Sequence, residues 1–210
     1  MNFSIFSWVI YDIGNTLFNA GVTGLFFPLW IITKLNGTDA TVGYTLSIAL
    51  LVSLIISPIV GALSDQTKNR KIFLGLFTLV CGLSTTFIGN NSLINSLIYY
   101  GVSVTCLHVG DIFYNSMLKD VSNKNNIGII GGIGAGVGYI GAIIAILIGL
   151  LIIEDQGYPI GFTMIGLLII FFGIPILIFL KEKPQQIQNR YLTSSESLIK
   201  RFINQISHTL

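Results

Sequence analysis

Asp12, Asn15, Thr16 and Asn19 fall at i, i+3, i+4 and i+7 in the stretch WVIYDIGNTLFNAG. On a helix that spacing puts all four on one face. The surrounding run is apolar enough for a bilayer. An ionised Asp at the centre of a membrane helix costs about 2.5–3.5 kcal/mol on insertion scales. Such a carboxylate usually faces a bundle interior or water and marks an ion or substrate path. A second stripe holds His108, Asp111 and Asn115, at i−3, i and i+4. Two carboxylates with amides, a hydroxyl and an imidazole nearby can hold a substrate amine or carry a proton. Brought close, the two acids cannot both ionise cheaply. Plainer readings stay open. Asp12 could accept bonds from neighbouring backbone or Asn groups and only fix helix packing. A histidine on an apolar helix is often a satisfied core residue.

The elements that carry these stripes follow from composition. The 210 residues are 52% hydrophobic and only 10% charged, whereas a soluble domain carries about 25% charged residues. A membrane-spanning helix needs roughly 20 mostly apolar residues. Six runs qualify, at about 5–32, 41–63, 72–90, 93–118, 127–153 and 159–180. They predict an all-α, polytopic bundle over residues 1–180. Nothing shows the ten-residue alternation of a membrane barrel. No Lys or Arg precedes the first run, so a cleaved signal peptide is not expected. Cys81 and Cys106 both sit in apolar runs, outside any disulfide or metal spacing.

Basic residues set the expected orientation. Ten of the eleven Lys and Arg fall after the second, fourth and sixth runs; only Lys34 lies on the opposite side. Both termini are therefore expected in the cytoplasm. Asp12 then lies about seven residues inside that end, roughly 10 Å deep at 1.5 Å per residue. Helix four runs the other way, and Asp111 comes seven residues before its end near Leu118. The two acids are expected at similar depth. Residues 181–210 read as a cytoplasmic linker. Thr193 and Glu196 have capping-box spacing, and Leu198, Ile199, Phe202, Ile203, Ile206 and Leu210 recur at helical spacing. That helix would lie on the inner membrane surface or pack on the bundle.

Seven glycines lie between Gly128 and Gly141. Gly128, Gly132 and Gly136 recur every four residues, as do Gly134, Gly138 and Ala142. Small faces of this kind let membrane helices pack closely. A phosphate-cradling loop would need a strand-to-helix turn in water.

The second run ends in SPIVGALSDQTKNRK, with Gly61, an acid four positions on at Asp65, and Arg70 and Lys71 closing the loop. This resembles the signature of the major facilitator superfamily, although Gln66, Lys68 and Asn69 replace the commoner Arg, Gly and Arg. Tyr11, Asp12, Asn15, Phe26, Phe27 and Pro28 resemble the first helix of a branch that includes vacuolar amino-acid effluxers linked to autophagy and prokaryotic permeases. Ile13 stands where that branch often has Trp. FYNSML (Phe113 to Leu118) and GIGAGVGYIG (Gly132 to Gly141) are similar to its fourth and fifth helices. The resemblance implies one half of a major-facilitator fold, with helices one and four bordering a central cavity. It also implies that Gly61, Asp65, Arg70 and Lys71 belong to a cytoplasmic gate.

Three function classes follow. The first is a secondary transporter, or half of one, moving a small solute such as an amino acid by alternating access. The second is a membrane enzyme, disfavoured because HExxH, paired-His, GxSxG and P-loop patterns are missing from the sequence. The third is a non-transporting fragment from truncation or gene splitting, acting only as an assembly partner. No cofactor, metal or nucleic acid is expected. The expected partners are the bilayer, a small solute and a second six-helix half. That half could be a separate chain, a missing C-terminal half or a second copy.

Overall fold

The computed structural model describes residues 3–67, 69–90 and 92–182, with the side chains of 65–67 outside the description. The described residues form six helical spans and no strand. They are α1 (Phe3–Lys34), α2 (Asp39–Thr67), α3 (Arg70–Phe87), α4 (Leu93–Val121), α5 (Ile127–Gln156) and α6 (Tyr158–Phe179). Helix is the stable form here because lipid offers no partner to an open backbone N–H or C=O. The predicted amphipathic segment within 193–210 lies outside the described residues.

The helix ends have local causes. Thr38 Oγ1 accepts from the Thr41 N–H at 3.3 Å, at the start of α2. Between α5 and α6 the chain turns at Gly157, whose φ of 86° suits glycine. Pro159 follows in the first turn of α6, where a missing N–H costs nothing.

Two of the spans are not uniform. α1 passes through a nine-residue π-helical stretch, Phe18–Phe26, and α5 through a shorter one, Gly149–Ile153. Hydropathy cannot report this, because a π turn keeps the same apolar residues in the same run. The two stretches are neighbours. Gly149 faces the Phe26 ring, and a Cβ added at Gly21 would sit 3.1 Å from Ala145 Cβ.

α1 packs against α5 and α6, α3 against α4 and α6, and α2 mainly along α4. Toward the chain termini the core holds Trp8, Tyr11, Leu74, Phe113, Tyr114 and Met117. Toward the other end it holds Leu17, Phe27, Ile31, Tyr100 and Phe162. Phe27 and Tyr100 stack there with centroids 3.7 Å apart. Apolar burial gives little drive between helices in lipid, so close contact must supply it.

The glycine-rich fifth helix shows how. A Cβ at Gly141 would run into the Ile13 carbonyl oxygen and sit 2.7 Å from Leu17 N. Gly134 meets the Trp8 ring in the same way, and Gly138 meets Asp12 and Thr16. The packing face is therefore Gly134, Gly138 and Gly141. Gly128, Gly132 and Gly136, also expected to pack, meet nothing within 4 Å. The two stripes point different ways, and only one is turned toward α1. A Cβ placed at Gly61 would likewise meet nothing within 4 Å.

Candidate functional site

Asn15 donates from Nδ2 to Asp111 Oδ1 at 2.6 Å. This bond joins the polar stripe of α1 to that of α4, so the tertiary structure brings the two stripes together. Asp12 lies one turn before Asn15 on α1, half-buried, and within electrostatic reach of Asp111. Thr16 shares with Asp12 the notch left by Gly138. That notch exists because residue 138 has no side chain.

The stripe frays at its far end. Asn19 is exposed and donates back to the Asn15 carbonyl at 3.0 Å, inside its own helix. Asn115 is exposed and His108 half-buried, without a hydrogen bond to either acid.

Around the acids stands an aromatic wall that the sequence reading did not single out. Trp8 stacks on Tyr114 at 4.6 Å, and Tyr11 stacks on Tyr114 at 4.9 Å. Trp8 Nε1 donates to the Tyr114 carbonyl at 3.0 Å, which ties α1 to α4 a second time. The Tyr114 hydroxyl is buried beside the Asp12 carboxylate, in a contact short of hydrogen-bond geometry. Tyr11 Oη lies 2.8 Å from Thr78 Oγ1. Thr78 spends its only proton on the Leu74 carbonyl at 2.8 Å, so Tyr11 is the donor in that pair. The available signal was spacing: Trp8, Tyr11 and Asp12 lie within two turns of one helix.

Neither Asp12 nor Asp111 has an ion pair among the described residues. Two carboxylates without a cation, half-open at the bundle face, can take up a proton or an ammonium group. No cluster of three metal-ligating side chains occurs among the described residues.

The charged cluster at the terminus end is arranged differently. Arg70 Nη2 meets Asp120 Oδ2 at 2.6 Å, and its Nε lies 3.6 Å from Glu182 Oε2. Glu182 also accepts from the Lys71 backbone N–H at 2.7 Å, capping the start of α3. Lys71 Nζ donates to the Leu180 carbonyl at 3.2 Å. The side chain of Asp65 lies outside the described residues. Asp120 and Glu182 were not among the sequence candidates. Their signal was two acids placed among the ten bases of that side.

Six membrane-length apolar helices around intramembrane acids define a multi-pass membrane protein. The Major Facilitator Superfamily model matches residues 14–207, and the chain belongs to that superfamily of transporters. The chain is 30% identical over 157 residues to a Bacillus subtilis (strain 168) protein described as the uncharacterized MFS-type transporter YxiO. That match covers 70% of this chain and 37% of the relative. It is also 29% identical over 184 residues to an uncharacterized protein of Aquifex aeolicus (strain VF5), covering 85% of this chain and 46% of the relative. The chain thus spans less than half the length of these curated relatives. No solved structure matches it.

Proposed function

We propose that this chain is the N-terminal half of a secondary transporter that moves a small solute by alternating access. The carrying observation is the Asn15–Asp111 bond at 2.6 Å with Asp12 beside it and, among the described residues, no cation paired to either acid. In this reading Asp12 and Asp111 hold a substrate ammonium or a coupling proton, and Asn15 and Thr16 orient them. His108, Asn19 and Asn115 line the water path on the open face. An amino acid is the solute suggested by the resemblance of the first helix to vacuolar effluxers.

The termini face the cytoplasm in this reading, and the cluster around Arg70 and Lys71 serves as the gate there, with Gly61 and Asp65 beside it. A second six-helix half covers the exposed face of α2, where Tyr44, Leu54 and Ile55 are bare. A second reading, an assembly partner that does not itself transport, is favoured by the short span relative to the relatives, 37% and 46% of their lengths.

Proteoliposomes decide between them. The chain is reconstituted alone and with a second six-helix half, and amino-acid flux under a pH gradient is recorded. Gradient-driven flux that disappears in Asp111→Asn supports the transporter reading. Unchanged flux in Asp111→Asn removes the acids from the mechanism. Flux that needs this chain but not its acids supports the assembly role.

A further inference from the structure

Away from the acids, α3 and α6 touch backbone to backbone at Gly82 and Gly166, where a Cβ on Gly166 would lie 2.5 Å from the Gly82 carbonyl oxygen. From there toward the chain termini a groove of about 570 Å³ opens between the two helices. Leu76, Leu79, Ile174 and Leu177 form its walls, and all four expose much of their surface outward. Gly75 and Gly173 keep its floor low, with Leu177 packed over the first and Thr78 over the second. Lys71 stands at its open end.

Shape and charge both select an occupant. Lys71 to Leu79 covers about 12 Å at 1.5 Å per residue, which fits within one leaflet of a hydrocarbon core about 30 Å thick. The groove is apolar along that length and cationic only at the membrane surface. Glu182 is engaged by Arg70 and by the first backbone N–H groups of α3. Arg70 is also held by Asp120. Lys71 uses one of its three donors on Leu180, and exposed Lys181 follows directly. Among the described residues the groove is lined by one charged side chain, Lys71, so its mouth is cationic. Basic pockets at the membrane surface between helices suit anionic headgroups.

We infer that the α3–α6 groove seats one anionic phospholipid, an acyl chain between Leu76 and Ile174 and the phosphate at Lys71. The site does not depend on transport. Its floor does touch the transport machinery, because Thr78 lines the groove and receives the Tyr11 hydroxyl at 2.8 Å.

The test is native mass spectrometry of the delipidated full chain, titrated with dioleoyl phosphatidylglycerol or dioleoyl phosphatidylcholine. One phosphatidylglycerol should be retained at least fivefold better than phosphatidylcholine. Lys71→Gln should abolish that preference. Ile174→Trp fills the groove from its exposed side and should weaken both lipids at least tenfold. A separate groove between α2 and α4 is lined by Ala49, Ile98 and Thr105, and Ile98→Trp there should leave retention unchanged. Should Lys71→Gln fail to fold, the surface variant Ile174→Trp still decides. Equal retention of the two lipids by the unaltered chain would overturn the site. So would undiminished binding in Ile174→Trp, or binding of glycerol phosphate as tight as that of the lipid. Disulfide cross-linking of two copies through Ile174→Cys would assign the groove to a second copy instead.

Discussion

The Asn15 amide and the Asp111 carboxylate meet at 2.6 Å across α1 and α4. Asn15 gives Asp111 a donor in place of a cation, so the acid is oriented without being neutralised. Asn15→Asp puts two carboxylates at that spacing, which like charges in a low-dielectric site resist. Asn15→Asp is expected to lower transport at least tenfold at neutral pH, with partial recovery on acidification as one acid is protonated. A flux–pH profile unchanged from the parent protein would count against an acidic pair at work.

Asp12→Asn and Asp111→Asn should each remove the pH dependence of flux while leaving the protein folded, because the amide keeps the shape of the acid. The measurement is flux across a pH series beside thermal stability of each variant. Retained pH dependence in both would place the coupling elsewhere.

Gly138 and Gly141 should separate function from folding. A methyl at Gly141 meets the Ile13 carbonyl and Leu17 N, which are backbone atoms and cannot step aside. Gly141→Ala is expected to cost about 1–3 kcal/mol, the usual penalty of overpacking. At Gly138 the obstructing atoms are the ends of Asp12 and Thr16, which can rotate away. Gly138→Ala should therefore cost less stability and more flux. Gly136→Ala, in open space, is the control and should be neutral. Equal melting shifts for Gly141→Ala and Gly136→Ala would contradict the α1–α5 contact.

Arg70 answers two carboxylates in a site where its side chain is 9% exposed and that of Asp120 7%. Removing one partner of a buried pair costs about 3–5 kcal/mol, since the other charge is left behind. Arg70→Ala should lose stability on that scale. The double variant with Asp120→Asn should recover part of it. A double-mutant cycle with no coupling would show that the pair is only a neighbouring contact.

Orientation can be read with thiol reagents. Cys81 and Cys106 are buried and should stay silent. A cysteine at exposed Asn123 should label only from the cytoplasmic side, and one at exposed Thr38 only from the opposite side. The reverse pattern would invert the orientation proposed from the basic residues.

Tyr11→Phe removes one bond to Thr78 while Thr78 keeps its own bond to Leu74. No polar group is orphaned, so the loss should be small, about 0.6 kcal/mol, the average for hydrogen bonds between membrane helices. A several-fold larger effect on flux than on stability would mark Tyr11 as a positioning residue for the acids.

The number of spans and the presence of two intramembrane acids were legible in the chain itself. Run length and the cost of charge in lipid are one-dimensional properties, and they needed no neighbours. Rotation of each helix was not legible. In a bilayer the outside of a helix is as apolar as its inside, so hydropathy does not say which face is packed. Gly134 and Gly136 look alike in sequence, yet one meets Trp8 and the other meets nothing. Asn15 and Asn19 share a stripe, yet only Asn15 reaches Asp111. Arg70 could have paired with any acid of its side, and the convergence of α3, α4 and the end of α6 chose Asp120 and Glu182. Those choices depend on atoms contributed by distant parts of the chain, and only the folded packing brings them within reach.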